Sequence, residues 1–143
     1  MKHFDKKWYN EQCKLMCGLT EEQKEYLDYL HNFLPKWYAD FSMHDSKILS
    51  VDKNNDYIEL KLLHDYGNKE YYLKFYSPNV IENCNLIGSW CISDELYLEN
   101  NCCEFHLMVH AYSKNTDNLS LEYFTIKCSN MELLFDGKSY KVF

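Results

Sequence analysis

The strongest constraint on the fold is a change in the spacing of apolar residues at Ser46. From there onward, apolar and polar side chains mostly alternate, which is the spacing of strands whose two faces have different surroundings. The alternation is clearest at Lys47–Lys53, Tyr57–His64, 71–78, Cys103–Tyr112 and Leu119–Cys128. Short polar turns separate these segments. The spacing therefore predicts an antiparallel sheet that opens with a three-stranded meander.

The other segments of this region are less regular. Residues 86–92 are apolar, and Gly88 among them predicts a bulge or a close backbone approach. Residues 94–98 fit either a strand or a helical turn. A last strand is expected at either 132–135 or 139–143. Together these segments predict a sheet of about six or seven strands.

The N-terminal region has helical spacing instead. A first helix is predicted over 4–16. A second follows a capping box, in which the Thr20 hydroxyl accepts from a backbone N–H and Gln23 reaches back. It should stop before Pro35, because the residue preceding a proline disfavours the helical conformation.

These patterns predict an α+β fold with one domain, 1–143. In this prediction a helical segment of two helices, 1–41, packs on a mainly antiparallel sheet formed by 46–143. The length suits one domain with its own core, and 46% of the residues are hydrophobic.

Charge and composition limit the classes of partner that we expect the protein to bind. The chain has no arginine, and its formal net charge is −7. Phosphate backbones and guanine bases are bound mainly through Lys and Arg, and Arg alone offers a two-pronged donor. We therefore expect no nucleic acid and no anionic membrane as a partner. The acidic balance favours association with a basic protein.

Seven cysteines occur without a Cys-x-x-Cys motif. Cys13 and Cys17 are four residues apart, and Cys102 and Cys103 are adjacent, but no second pair completes a zinc site. The N-terminal residues contain no apolar stretch typical of a secretory signal. We therefore expect free thiols in a reducing cytoplasm, several of them buried.

His44 and Asp45 open the first strand and form the first candidate for chemistry. An imidazole beside a carboxylate suggests general-base catalysis. Neighbouring residues on an extended chain point to opposite faces, however, so the carboxylate should not orient the imidazole. The interpretation favoured is structural, with Asp45 or Ser46 satisfying backbone N–H groups at the start of the strand.

The second candidate is one face of the strand Cys103–Tyr112. Its members alternate with apolar residues and are Glu104, His106, Met108, His110 and Tyr112. The two histidines would lie about 13 Å apart along a strand, too far to share a zinc ion. We expect a half-exposed surface that contacts a partner. No catalytic, cofactor-binding or metal-binding residue is predicted, and with only four glycines no phosphate-binding loop can be formed.

Several short phrases resemble a family of uncharacterised bacterial proteins. They are Phe4 with Trp8-Tyr9, residues 33–38 (FLPKWY), residues 43–48 (MHDSKI), and Trp90 followed by Asp94-Glu95. The family has an N-terminal helical segment and a His-Asp-Ser or His-Asp-Ala opening of the first strand. The resemblance implies that fold and brings no catalytic residues. A looser similarity connects the chain to small proteins that neutralise bacterial toxins.

Three functions follow as hypotheses. The first is a non-catalytic cytoplasmic protein-binding module, such as an immunity or inhibitor protein acting on a basic partner. The second is a metal-dependent hydrolase, which requires three of His44, Asp45, His64, His106 and His110 to converge. The third is a mobile-element protein that inhibits a host defence nuclease by acidic mimicry.

Overall fold

The computed structural model describes residues 2–13, 18–64, 68–112 and 119–143. The helices are α1 (Lys6–Trp8), continued by a π-helical stretch over Tyr9–Cys13, α2 (Glu21–Phe33) and α3 (Lys36–Asp40). The strands are β1 (Lys47–Lys53), β2 (Tyr57–His64), β3 (Lys69–Tyr76), β4 (Asn79–Glu82), β5 (Trp90–Glu99), β6 (Cys102–Tyr112), β7 (Leu119–Cys128), β8 (Asn130–Phe135) and β9 (Lys138–Lys141).

All nine strands belong to one antiparallel sheet, in the order β4-β7-β6-β5-β1-β2-β3-β8-β9. The predicted α+β fold, with a helical segment packed on six or seven strands, is therefore wrong: the protein is mostly one large sheet with few helical residues. The strand β4 is too short to show alternation, and 94–98 belongs to β5. The two alternatives for a last strand, β8 and β9, both exist and pair with each other.

The N-terminal helix is also shorter than predicted. Asp5 caps it, because its Oδ1 accepts a hydrogen bond from the Trp8 N–H at 2.8 Å. Regular α-helical structure ends at Trp8, and the aromatic ring of Tyr9 packs edge-on against His110, 5.5 Å between centroids. The part of the predicted helix over 14–16 lies outside the described residues. Helical residues thus run from Lys6 to Cys13, first as α-helix and then as π-helix.

The helix α2 begins and ends where the sequence predicts. Thr20 Oγ1 accepts from the Gln23 N–H, and Gln23 Oε1 accepts from the Thr20 N–H, which confirms the capping box. The backbone of Leu34 is extended before Pro35, so the helix stops at Phe33. The Gln23 amide also donates to the His3 carbonyl, and this bond fixes α2 to the N-terminal segment.

The sheet curls so that its two halves face each other across the core. Phe75 on β3 lies 5.4 Å from the ring of Phe105 on β6 and 6.2 Å from that of Phe124 on β7. Three strands separate β3 from β6 in the sheet order, so this contact requires strong curvature. Inward-facing residues from both halves are fully buried, among them Leu60, Leu73, Leu96 and Leu107.

The curl leaves a gap between β1 and β5. The two strands pair only near Lys47 and Trp90 and then diverge. Farther along β5, the N–H groups of Leu96 and Leu98 donate to the hydroxyls of Tyr26 and Tyr29, both at 2.9 Å. The tyrosines of α2 thereby satisfy backbone groups that a neighbouring strand satisfies elsewhere. This contact holds α2 rigidly along the open edge of β5.

Candidate functional site

A cleft of about 300 Å³ opens where α2, α3 and β5 meet. Half of its twelve lining residues are aromatic or acidic, namely Phe4, Tyr26, Tyr38, Phe41, Asp40 and Asp94, and the others include Leu27, Leu30 and Ile92. Within the part of the chain that the structure describes, no lysine or histidine lines this cleft. Concave, largely apolar sites with a few convergent polar groups are the usual form of ligand-binding pockets.

The carboxylate of Asp94 is the most perturbed acid in the cleft. Burial raises its pKa from the usual value near 3.8 to about 6, and the negative charge of Glu95 contributes in the same direction. The hydrogen bond donated by Tyr38 and the charge of His44 act against this rise. Burial and the nearby Asp94 carboxylate hold the pKa of Tyr38 well above its usual value, so the phenol keeps its proton. The cleft therefore combines a carboxylate that changes charge near neutral pH with aromatic walls.

The turn at His44 and Asp45 differs from its prediction. Asp45 has a φ of 61°, a left-handed conformation that Asp tolerates better than most residues, so the chain turns here before β1 begins. His44 Nε2 consequently lies 3.4 Å from Asp45 Oδ2, and the argument that the two side chains must diverge is wrong. His44 Nδ1 lies 2.7 Å from the Ile92 carbonyl. The pair joins the turn to β5 at the rim of the cleft, with the imidazole mainly exposed.

The buried member of this phrase is Ser46. Its Oγ accepts a hydrogen bond from the hydroxyl of Tyr71 at 2.8 Å, inside the core. Backbone bonds around it, including Asp45 N–H to the Cys91 carbonyl at 2.9 Å, connect the start of β1 to β5. The His-Asp-Ser phrase thus fixes the junction between the two halves of the sheet. The Ser46 side chain bonds Tyr71 on β3, and its backbone carbonyl accepts from the Cys91 N–H on β5 at 2.8 Å.

The predicted partner face of β6 is covered. His106 is only 6% exposed and Met108 is fully buried, because the N-terminal segment lies across this face. Lys2 Nζ lies 3.6 Å from Glu104, and the Lys6 N–H donates to Tyr123 on the adjacent strand. Burial lowers the pKa of His106 more than its bond to Glu104 raises it, which favours the neutral imidazole. The side chain of Tyr112 lies outside the described residues.

Glu95 is the functional position that sequence reasoning missed. Its fully buried carboxylate accepts hydrogen bonds from the N–H groups of Lys2, His3 and Phe4 at 2.7–3.0 Å, and from the Tyr97 hydroxyl at 2.6 Å. Burial alone favours the protonated acid, but these four donors hold the pKa of the carboxyl below its usual range. The sequence signal was an acidic residue in a segment that was not assigned as a strand. Glu95 anchors the N-terminal segment, and with it Phe4 at the cleft.

Metal-binding residues do not converge within the described part of the chain. Among the described residues, no three His, Cys, Asp or Glu side chains lie together in a way that could hold a metal ion. Of the five positions from which the hydrolase hypothesis requires three, His44 and Asp45 are adjacent, whereas His64 Nε2 donates to the Ser42 carbonyl at 3.0 Å on the other side of that turn. The Cys13 side chain and Cys17 lie outside the described residues. The cysteines at 84, 91, 102, 103 and 128 are free.

The outward face of α2 is a second candidate site. Its exposed acidic residues are Glu21, Glu22, Glu25 and Asp28. Phe33, at the C-terminal end, is 72% exposed and stacks on Tyr29 at 5.7 Å. Lys24 is the one lysine in this helix, and it pairs with Glu21 at 3.0 Å. We call these four acids together with Phe33 the α2 face.

Comparison with known proteins gives no relative to guide these assignments. No protein-family model, no curated protein and no solved structure matches the chain. The resemblance to a bacterial family stays a prediction. A search for membrane-spanning helices among the described residues found none with the required length and apolar character.

Proposed function

We propose that this protein is a non-catalytic, cytoplasmic binding module whose α2 face recognises a basic protein, as an inhibitor or immunity protein would. The exposure of Phe33 at the end of a helix that carries four exposed carboxylates is the observation that carries this proposal. Interface hot spots commonly consist of an apolar anchor with polar and charged residues around it. The α2 face has this composition.

Rigidity of the helix supports the same function. Tyr26 and Tyr29 hold α2 to the backbone of β5, and Gln23 holds it to the N-terminal segment. A preformed surface loses little conformational entropy when it binds, which leaves more of the contact energy for affinity. Phe33 stacks on Tyr29, which makes one of these contacts, whereas the four acids of the α2 face are exposed.

The charges determine the kind of partner. Four carboxylates against one lysine attract a positively charged surface and increase the rate of encounter. Burying Phe33 on a partner contributes about 1.5–3 kcal/mol, equivalent to roughly 10- to 100-fold in affinity. The anchor and the charges thus account for affinity and for specificity respectively.

The test is affinity capture from a native lysate with three immobilised forms of the protein. The wild type is compared with a triple variant of the α2 face, Phe33→Ala with Glu22→Lys and Glu25→Lys. The matched control, Asp52→Lys with Asp56→Lys, reverses two exposed charges on β1 and the β1–β2 turn. We expect a basic protein to be retained by the wild type and the control and lost with the triple variant. Equal retention by all three forms would exclude the α2 face as the binding surface.

A further inference from the structure

The cleft between α2, α3 and β5 has a chemistry of its own. We propose that it binds a small organic cation, an alkylammonium or guanidinium group, which pairs with the Asp94 carboxylate and packs against the aromatic walls. This inference concerns a different surface from the α2 face and goes beyond the proposed function.

The negative charge of Asp94 is not compensated by its hydrogen-bond partner, which favours a cationic ligand. Asp94 accepts its hydrogen bond from Tyr38, a neutral phenol that contributes no positive charge. The nearest base, His44, is mainly exposed and lies against Asp45 and the Ile92 carbonyl. Asp40, the other acid of the cleft, faces Lys36 at 3.6 Å on the exposed surface of α3. A ligand cation would supply the charge that this part of the fold lacks.

The aromatic residues that line the cleft also favour a cationic ligand. Phe4 and Phe41 are half-buried at the cleft, and the rings of Tyr26 and Tyr38 lie deeper. Aromatic faces attract cations through their quadrupole, and more strongly when water is partly excluded. The same surface repels anions, and it offers apolar contact to the alkyl part of an amine. A volume of about 300 Å³ is at the small end of ligand pockets.

The number of ligands that metal ions require favours an organic cation over a metal ion in this cleft. Calcium takes six to eight oxygen ligands, and magnesium requires near-octahedral coordination. Among the described residues, no cluster of three potential ligands exists in the cleft or elsewhere. An organic cation, which needs only one carboxylate and apolar surroundings, fits the residues present in the cleft.

The ligand group could belong to a free amine or to the lysine or arginine side chain of a protein. The experiment separates these sources by titrating the isotopically labelled protein, followed by backbone NMR shifts, with two sets of probes. The first set is butylammonium and ethylguanidinium, with butanol, butyrate and magnesium chloride as controls. The second is short peptides that contain one lysine or one arginine.

We expect saturable shifts at 38–42 and 92–94 with the two cations, in the millimolar range or tighter, and none there with butyrate or magnesium. Tighter binding of the peptides than of the free cations would assign the site to a protein side chain, and the reverse would assign it to a small molecule. Asp94→Asn should weaken cation binding at least about tenfold, because the ion pair is lost. Asp56→Asn, on a distant exposed turn, should not change it.

A second variant tests the cleft without changing the Asp94 carboxylate. Ser42→Lys adds a tethered ammonium at an exposed position of the cleft lining, and it should also block the probes. Equal binding of butanol and butylammonium would overturn the proposal. So would unchanged binding by Asp94→Asn, or the absence of saturable shifts up to about 20 mM probe, a concentration that detects even millimolar affinity.

Discussion

The hydroxyl of Tyr38 donates a hydrogen bond to the Asp94 carboxylate, and this contact connects α3 to β5 at the floor of the cleft. The phenol satisfies one oxygen of the acid but leaves its negative charge in a partly dehydrated place. The raised pKa of Asp94 is the result. A carboxylate that opposes folding in this way is typical of a residue retained for binding or catalysis.

Replacing Asp94 with asparagine should therefore stabilise the protein at alkaline pH. The pKa of the folded acid, about 6, exceeds its usual value of 3.8, so the folded state holds the proton more tightly between these values. Ionisation above pH 6 consequently costs stability, on the order of 3 kcal/mol at pH 8. We expect Asp94→Asn to be more stable than the wild type at pH 8 by up to this amount, measured by urea denaturation.

The stabilisation by Asp94→Asn should depend on pH, and a measurement at low pH is therefore the control. Below about pH 3 the acid is mostly protonated in both folded and unfolded states, so the difference between Asp94→Asn and wild type should disappear. The groups that act on this titration are Tyr38, Glu95 and His44. A variant that is less stable than wild type at pH 8 but equal to it at low pH would show that the ionised Asp94 stabilises the fold.

Glu95 should behave in the opposite way. Glu95→Ala leaves three partly buried backbone donors of the N-terminal segment without their acceptor, at a cost of roughly 2–4 kcal/mol. Release of this segment should also hydrate His106 and raise its pKa toward the usual range, which NMR titration can follow. The exposed Glu99→Ala is the matched control and should change neither quantity.

The pH dependence of the Glu95 contribution follows from its lowered pKa. The stabilisation is fully present above the ordinary glutamate pKa of about 4.3 and is lost as the pH falls through the lower folded value. Wild type and Glu95→Gln should therefore converge in stability under acid conditions. A gap that widened as the pH fell would contradict the carboxylate as the anchor.

Tyr26 and Tyr29 should control hydrogen exchange at the open edge of β5. Tyr26→Phe and Tyr29→Phe remove the acceptors for the N–H groups of Leu96 and Leu98 respectively. Each change should cost about 1–3 kcal/mol and accelerate exchange at its own amide more than at the other. Tyr72→Phe, on the outer face of β3, is the control. Uniform acceleration of both amides by either variant would indicate general destabilisation instead of this specific contact.

Local features of the fold were predictable because short-range chemistry determines them. The capping box of Thr20 and Gln23 and the stop before Pro35 depend on neighbouring residues, and both are confirmed. The pairing of β4 with β7 and of β3 with β8 depends on long-range contacts that alternation cannot specify. The strand β4 was not predicted, only one of β8 and β9 was expected, and the predicted balance of helix and sheet was wrong.

The candidate sites also combine features that the sequence predicts with features that depend on long-range contacts. Alternation identified the side chains that share a face of β6, but it could not reveal that the N-terminal segment covers His106. The left-handed turn at Asp45 has no clear signal in the sequence, since most residues in such phrases are extended. Tyr26 looked like part of an apolar stripe, whereas its hydroxyl completes the hydrogen bonding of β5.

The most direct test of the central claim is hydrogen–deuterium exchange of the protein alone and in complex with its captured basic partner. The account predicts slower exchange over Glu21–Phe33 on binding, no change over the β1–β2 turn, and loss of this pattern with the triple variant of the α2 face. Protection confined to other surfaces, with α2 unchanged, would contradict it.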